Sequence, residues 1–513
     1  MSTTTNLRDA LLKSLKTLPG TRQLHLHVLV SSPRKQSELF PYSKPRLRTY
    51  LQDILVLVSE QQAGDEGRVF VTAIEASVYN VPTTSCAILY VSKVDSTGQG
   101  VAPSPTSTLV QELLLYYANP TTRPVSADHL WIHVFARAQA QYLFPNSAEH
   151  PGKKPLSDVK LCAWWKRVLG NVAAAIPEDS RKVLLLHYNF PGYSEAEAQQ
   201  SLRYVSTSSS NSPELDWMYG HPYSQTAIPL PCPRDPNNLG HSIPKFDDDP
   251  KSRFMDDLAY SNIVDAPQSP PRKKQRTASR PPDSKAGGAG EAPADSGKPI
   301  SKQQSAEPAH APGELSKVSA DEFWERMSFR QECVSGAVTG FFTLGLSSAL
   351  SSSVAAPSPL APQPGQVSSQ INRRILSSLT TGVEFSTSER AVRGTEIVET
   401  TLRGLCEGIA AGPSQARDIT EALKNRKEEE QSSELLAPPM TPPRKASSLP
   451  DEISPNPFPE PHTSLETYHA FIYGSVDVAN EALLKPGVDA PATSQEKSAP
   501  HVTVLTARKK KKT

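Results

Sequence analysis

The residues best suited to chemistry lie in an acidic segment, IPKFDDDPKSRFMDDL, which runs from Ile243 to Leu258. Asp247, Asp248 and Asp249 stand directly before Pro250 in this segment. Acidic residues followed by a proline are typical of a helix N-terminus. The same carboxylates could instead bind or deprotonate a cationic substrate, because carboxylates held close together make better general bases. Spacing alone favours the helix start and leaves the catalytic interpretation open.

A second set of candidate residues is aromatic. The segment YLFP begins at Tyr142, and the adjacent pair Trp164 and Trp165 follows it along the chain. Two adjacent side chains on a helix point about 100° apart, so both tryptophans cannot face the same core. Core packing is the commoner role of a tryptophan. The pair therefore predicts one ring that packs and one that lines a site.

Several classes of site lack their motifs. There is no G-x-x-x-x-G-K-[ST] segment, no G-x-G-x-x-G after a strand, no C-x-x-C and no H-E-x-x-H, which disfavours nucleotide hydrolysis, dinucleotide binding and a zinc site. The five cysteines are odd in number and far apart, which excludes a disulfide scaffold and fits a reducing compartment. The net charge of +1 gives no argument for nucleic-acid binding. We expect no metal and no direct sequence-specific contact with nucleic acid.

The elements that must position these residues lie between about residues 5 and 262. Strands are predicted where apolar residues alternate or β-branched residues cluster. Helices are predicted where apolar residues recur at helical spacing after a capping residue. The predicted strands are 24–30, 68–79 and 85–98, with 130–138 as a buried strand or short helix and 182–188 as an apolar run that fits a strand. The predicted helices are 107–118, 157–176 and 193–205.

Composition divides the chain into five parts. Residues 1–264 form the first part of one α/β-mixed (α+β) domain, and 265–318 form a disordered insertion, because almost no apolar side chain is present there. Residues 319–424 form a helical part that completes the domain and begins at the capping residue Ser319. Residues 425–500 are largely disordered, and 501–513 are a basic C-terminal tail. The absence of a linear βαβα repeat argues against a doubly wound parallel sheet.

The sequence predicts no secretory signal peptide and no membrane-spanning segment. Its first 15 residues lack a long apolar run and a small-residue cleavage site. No stretch has the roughly 20 predominantly apolar residues that a spanning helix needs. We therefore expect a soluble intracellular protein with no membrane association. The segment PPRKKQR, at 270–276, resembles a nuclear import signal and equally fits a solvated run of charge.

Taken together, these segments resemble a known family, the fungal histone H3 acetyltransferases that modify lysine fifty-six, called the "regulator of Ty transposition" family. ILYVSKVDSTG precedes the other matching segments. Those are FARAQAQYLFPNS (Phe135–Ser147), KLCAWWKRVL (Lys160–Leu169), IPKFDDDPKSRF (Ile243–Phe254) and EFWERMSFRQE (Glu322–Glu332). The family is similar in fold to the CREB-binding-protein acetyltransferases. The resemblance implies a central, mostly β sheet of about seven strands, wrapped by helices, with acetyl-coenzyme A in a groove.

The resemblance also assigns roles to individual residues. At the catalytic centre it places the acidic pair and the aromatic channel; Lys251 matches a lysine that is itself acetylated. The segment 103–107 should reach the cofactor groove. The chain departs from the family at 99–107, which is Pro-rich and lacks arginine, and at Gln139, which replaces a small residue. The implied catalytic residues are Asp249, Asp248, Trp165 and Tyr142; the implied acetyl-CoA contacts are Val94, Asp95, Ser96, Phe135, Gln139, Lys154, Pro155, Leu156 and Trp164.

The function that the resemblance implies is acetyl transfer from acetyl-CoA to a lysine of histone H3 in the nucleus. The acceptor is lysine fifty-six of the core or a lysine of the N-terminal tail. The implied partners are H3–H4 and histone chaperones of the anti-silencing and nucleosome-assembly types, in assembly coupled to replication and repair. The alternative is a non-enzymatic chromatin or chaperone adaptor, which would not bind acetyl-CoA.

Overall fold

The computed structural model describes residues 6–61, 67–205, 215–260, 314–330, 333, 337–348, 358–408, 458–461 and 463–481. Most of the insertion predicted at 265–318, most of 425–500 and the whole tail at 501–513 lie outside the described residues. Residues 314–318, placed at the end of that insertion by composition, form a turn in which Leu315 is fully buried.

One sheet organises the described part of the chain. Its ten strands run in the order β10-β1-β3-β4-β5-β6-β9-β7-β8, with β2 paired to β3 beside this path. Most neighbours are antiparallel; β5 with β6 and β7 with β8 are parallel. The strands are β1 (Gly20–Val30), β2 (Arg34–Gln36), β3 (Thr49–Gln61), β4 (Arg68–Val81), β5 (Cys86–Ser96), β6 (His129–Ala136), β7 (Arg181–Asn189), β8 (Trp217–Tyr219), β9 (Gly340–Ser348) and β10 (Tyr473–Asn480).

Helices cover both faces of this sheet. A π-helical turn, Tyr468–Ile472, leads directly into β10. The longer helices are α1 (Leu7–Leu15), α2 (Thr106–Ala118), α3 (Asp158–Ala175), α4 (Glu195–Val205), α5 (Pro250–Tyr260), α6 (Ala320–Met327), α7 (Ser369–Thr381) and α8 (Ser388–Gly408). Within the described residues, no helix is long and apolar enough to cross a membrane.

The apolar alternation of the strands separates two layers of core. Ile54, Val56 and Val58 of β3 pack in the layer that α1 to α4 cover, whereas Leu55 and Leu57 pack in the layer under α7 and α8. Successive side chains of a strand point to opposite faces of a sheet. A sheet buried on both faces therefore needs apolar residues at nearly every position of its central strands.

The predicted mixed α/β class is confirmed, and the sheet has ten strands in the described residues rather than about seven. The ambiguous segment 130–138 is a strand, β6. Two central strands, β3 and β9, were not among those predicted. Strand β9 lies in the range 319–424, which the sequence pattern predicts to be helical.

Candidate functional site

A cavity of about 600 Å³ opens where the parallel strands β5 and β6 separate. Their pairing ends at Val91 and Val134, and β5 then continues to Ser96. Residues 92–96 line the cavity. Within the described residues, no strand pairs with 92–96 on the side that faces β6. Unpaired N–H and C=O groups of a strand edge are ready to bond an extended ligand.

The carboxylate of Asp95 ties the walls of the cavity together. Its Oδ2 accepts hydrogen bonds from the backbone N–H groups of Tyr142, Leu143 and Phe144, at 2.8, 2.8 and 3.1 Å. Its Oδ1 accepts from the ammonium of Lys153 at 2.8 Å. Both side chains are 5% exposed or less. Although Asp95 lines the cavity, both of its carboxylate oxygens accept hydrogen bonds from groups of the protein.

A close backbone contact holds the loop at 150–156 against the end of β5. Gly98 has a φ of +73°, and a Cβ at this position would lie 2.4 Å from the Cα of Lys153. A Cβ on Gly152 would lie 2.4 Å from the carbonyl oxygen of Gly98. Only glycine tolerates both the backbone conformation and the close approach. This contact places Lys154, Pro155 and Leu156 on the cavity wall.

A buried ion pair fixes the approach to α2. Arg22 lies 3.0 Å from Glu60, and both side chains are 1% exposed. The same guanidinium donates to the carbonyl groups of Val101 and Pro103, and Glu60 accepts from the N–H of Val101. These bonds fix 101–103, so that Ser104 and the first residues of α2 reach the cavity.

The opposite wall is aromatic. Trp164 and Trp165 lie at 4.7 Å between ring centroids in an edge-to-face arrangement, and both line the cavity from α3. Trp165 is only 5% exposed and also packs in the core. The hydroxyl of Tyr142 donates to the carbonyl of Arg137. Burial and the nearby Asp95 raise the pKa of Tyr142 to about 12, so this hydroxyl stays protonated.

The acidic pair is divided between two environments. Asp248 lines the cavity, its side chain is 72% exposed, and Lys93 lies 3.3 Å from its Oδ2. Asp249 is fully buried and does not line the cavity. Its Oδ2 lies 2.9 Å from the ammonium of Lys251, which also lies 5.0 Å from the ring of Phe341. The buried ammonium therefore has a counter-ion and an aromatic face.

The structure gathers most of the residues that the resemblance assigned. Asp249 and the acetylation candidate Lys251 lie behind the cavity wall, so their roles stay predictions. The predicted residues that line the cavity are Val94, Asp95, Ser96, Phe135, Gln139, Tyr142, Lys154, Pro155, Leu156, Trp164, Trp165 and Asp248.

Sequence reasoning predicted Lys154 but missed four other basic residues of the cavity. Lys93, Arg137, Lys153 and Arg253 all line it. Lys93, Arg137 and Arg253 stand inside matching segments, so the positive charge within those segments was the available signal, whereas Lys153 lies between two segments and had no such signal. No group of three or more His, Cys, Asp or Glu side chains suited to a metal ion occurs among the residues that the structure describes.

Comparison with known proteins identifies the class to which this site belongs. Residues 118–433 match the histone acetyltransferase KAT11-type domain, which is more than half of the chain. The chain belongs to the KAT11-type histone acetyltransferase family, and the resemblance found in the sequence is confirmed.

Within this family the similarity is to the Rtt109 proteins. The chain is 28% identical over 354 residues to histone acetyltransferase rtt109 of Aspergillus flavus, covering 64% of this chain and 54% of that one. It is 26% identical to the rtt109 of Schizosaccharomyces pombe, covering 63% of this chain and 68% of that one. The chain thus spans about half the length of the first of these relatives. The crystal structure of Rtt109 from Aspergillus fumigatus has the same fold, with a TM-score of 0.56 at 23% identity over 78% of this chain and 96% of that one.

Proposed function

We propose that this protein transfers the acetyl group of acetyl-CoA to a lysine of histone H3. The observation that carries the proposal is the single cavity in which the end of β5, the start of α2, the tryptophan pair and Asp248 meet. Family membership gives the reaction class, and the cavity gives a place where donor and acceptor can meet.

The cavity has the features that acetyl-CoA needs. Arg137, Lys154 and Arg253 provide positive charge for the phosphates of coenzyme A. The N-terminus of α2 adds backbone N–H groups, which favour anions. The open edge of β5 offers backbone partners for the amide groups of the pantetheine arm. The positive charge of Arg137, Lys154 and Arg253 substitutes for the arginines that the segment 99–107 lacks.

The acceptor lysine must lose a proton before it attacks the thioester carbon. Making the neutral amine of a free lysine at pH 7.4 costs about 4 kcal/mol. Asp248, exposed on the cavity wall, attracts the incoming ammonium and relays its proton to solvent. The neutral amine then forms a C–N bond to the thioester carbon, the C–S bond breaks, and coenzyme A leaves as the thiol after taking up a proton. The tryptophan pair then orients the amine against the thioester, which supplies much of the remaining rate enhancement.

Transfer is direct from thioester to amine. No cysteine lines the cavity among the described residues. Burial raises the pKa of the Cys86 and Cys406 thiols to about 11, so these groups are poor nucleophiles at neutral pH. An acyl-enzyme intermediate therefore has no support from the chain.

The finer assignments rest on the family resemblance. They are a nuclear location, H3 lysine fifty-six as the acceptor, and presentation of H3–H4 by chaperones of the anti-silencing and nucleosome-assembly types. The use of acetyl-CoA as the acetyl donor is part of the same proposal.

The test is mass spectrometry of H3 after incubation of H3–H4 with acetyl-CoA, with and without such a chaperone. Acetylation of a defined H3 lysine supports the proposal. Asp248→Asn serves as the matched inactive control, because its carboxylate is exposed and its loss spares the core. Absence of acetyl transfer, together with no binding of acetyl-CoA by calorimetry, would favour the adaptor alternative.

A further inference from the structure

A bulge in β5 directs Lys93 toward the cavity. Glu75 of β4 pairs with Lys93, whereas the next residue, Ala76, pairs with Val91, so Ser92 is an extra residue. The hydroxyl of Ser92 donates to the carbonyl of Glu75 at 2.9 Å and holds the bulge. Bulges re-aim side chains and are common beside active sites.

Without this bulge, Lys93 would point into the core. Ala87, Leu89 and Val91 occupy alternate positions of β5 and pack in the apolar layer under α2 and α3. Regular alternation would continue that layer with Lys93. The extra residue moves Lys93 to the opposite face, where Glu75 stands directly across on β4.

On that face the ammonium of Lys93 joins two carboxylates. It lies 2.9 Å from Glu75 Oε2 and 3.3 Å from Asp248 Oδ2. The side chains of Lys93 and Glu75 are 27% and 23% exposed, so both are largely shielded. Burial acts to lower the pKa of Lys93, but Glu75 and Asp248 outweigh it and raise that pKa. The ammonium therefore stays charged between them.

Asp248 has a backbone conformation that few residues other than glycine adopt. Its φ is +61°, in the left-handed region, where aspartate is better tolerated than most residues with a side chain. Its side chain is exposed and would otherwise sample several rotamers. A fixed cation at 3.3 Å limits the positions that the carboxylate can adopt.

We propose that Lys93 is a positioning residue for acetyl transfer, anchored by Glu75 and acting through Asp248. It fixes one carboxylate oxygen of Asp248 and leaves the other to meet the incoming lysine. A second ammonium brought to the same carboxylate is repelled by Lys93, which favours the neutral amine that the reaction needs. This inference rests on the proposed function, because it assigns a role in that reaction.

The experiment is a double-mutant cycle on the full chain, with H3–H4 and acetyl-CoA as substrates. Lys93→Met keeps the length of the side chain and removes its charge. We expect this variant to lower kcat about 10- to 100-fold and to change the KM for acetyl-CoA less than about threefold. Lys93→Arg should restore part of kcat, because it restores the cation. Lys182→Met, at an exposed position of β7, is the control and should match the wild type.

The cycle separates positioning from a merely structural role. If Lys93 acts through Asp248, then Lys93→Met combined with Asp248→Asn should have the kcat of Asp248→Asn alone. Glu75→Gln should give a smaller loss of the same kind.

Two outcomes would overturn the inference: multiplicative losses in the double variant, or wild-type kinetics in Lys93→Met. A variant that melts far below the wild type is replaced by Lys93→Arg and Glu75→Gln in the same cycle. Absence of transfer by the wild-type protein would instead refute the proposed function, and the inference with it.

Discussion

Replacing Asp95 with asparagine should destabilise the protein through the cavity wall. The side chain accepts three backbone N–H groups from 142–144, one from Ser96, and the ammonium of Lys153. An asparagine has one acceptor oxygen instead of two and carries no charge. The substitution therefore leaves buried donors unsatisfied and leaves Lys153 without its counter-ion.

The magnitude follows from burial. Asp95 and Lys153 are 4% and 5% exposed, so solvent screens their interaction little. Removing one partner of a buried ion pair costs about 3–5 kcal/mol. We expect Asp95→Asn to lower the free energy of unfolding by this amount. A change that removes both charges, Asp95→Asn with Lys153→Met, should recover about 1 kcal/mol or more, because no buried charge is then left unpaired.

Urea unfolding followed by tryptophan fluorescence measures this difference, because midpoint and slope together give the free energy of unfolding. Glu407→Gln is the matched control: its pair with Arg403 has side chains 43% and 60% exposed, and its loss should cost less than about 0.5 kcal/mol. A loss below about 1 kcal/mol in Asp95→Asn, or no recovery in the double variant, would refute this account of the cavity wall.

Three further predictions follow from burial. Asp248→Asn should reduce kcat about 10²-fold or more and leave the melting temperature unchanged. Asp249→Asn should lower the melting temperature, because it leaves Lys251 buried without a counter-ion. Steady-state kinetics measures kcat, and differential scanning fluorimetry measures the melting temperatures. Burial lowers the pKa of His25 from 6.5 to about 4 and that of His27 to about 3. Below pH 6.5 the unfolded chain therefore binds more protons than the folded chain, and the free energy of unfolding should fall as pH drops from 6.5 toward 4. Urea midpoints across this pH range measure the fall. Deletion of 268–312 should preserve acetyl transfer by the purified protein, because it spares the buried turn at 314–318.

Each of these predictions has an outcome that contradicts it. Equal melting temperatures for the two aspartate variants would show that Asp249 does not stabilise Lys251. A flat dependence of stability on pH, compared with a His27→Gln variant, would show that the histidines are not buried in neutral form. Loss of activity after deletion of 268–312, with an unchanged melting temperature, would show that the insertion takes part in the reaction.

The sequence predicted those strands whose pattern is local. Residues 24–30 and 68–79 fall within β1 and β4, and the helix predicted at 157–176 matches α3 within one residue at each end. Most of the predicted site residues line one cavity, because the matching segments lie at neighbouring positions of the sheet and its loops.

Strand β9 could not be predicted, because its composition reflects distant neighbours. The segment GFFTLGLSS has two glycines and two serines among its nine residues, and every residue is buried. A Cβ on Gly345 would lie 2.8 Å from the ring of Trp131, and one on Gly340 would lie 2.8 Å from the Sγ of Cys162. The glycines of β9 therefore make room for Trp131 of β6 and Cys162 of α3. Glycine is depleted in strands, and here tertiary packing overrides that preference.

The acidic motif shows the same limit at the level of the site. DDPK suggests two neighbouring carboxylates acting in one environment, and the backbone prevents this. With Asp248 in the left-handed region, its side chain stands at the cavity, whereas the next carboxylate turns inward to Lys251. One aspartate thus lies on the cavity wall, and the other pairs with Lys251 behind that wall. Spacing of residue types identifies such a segment, but the φ of one residue determines which carboxylate faces the cavity.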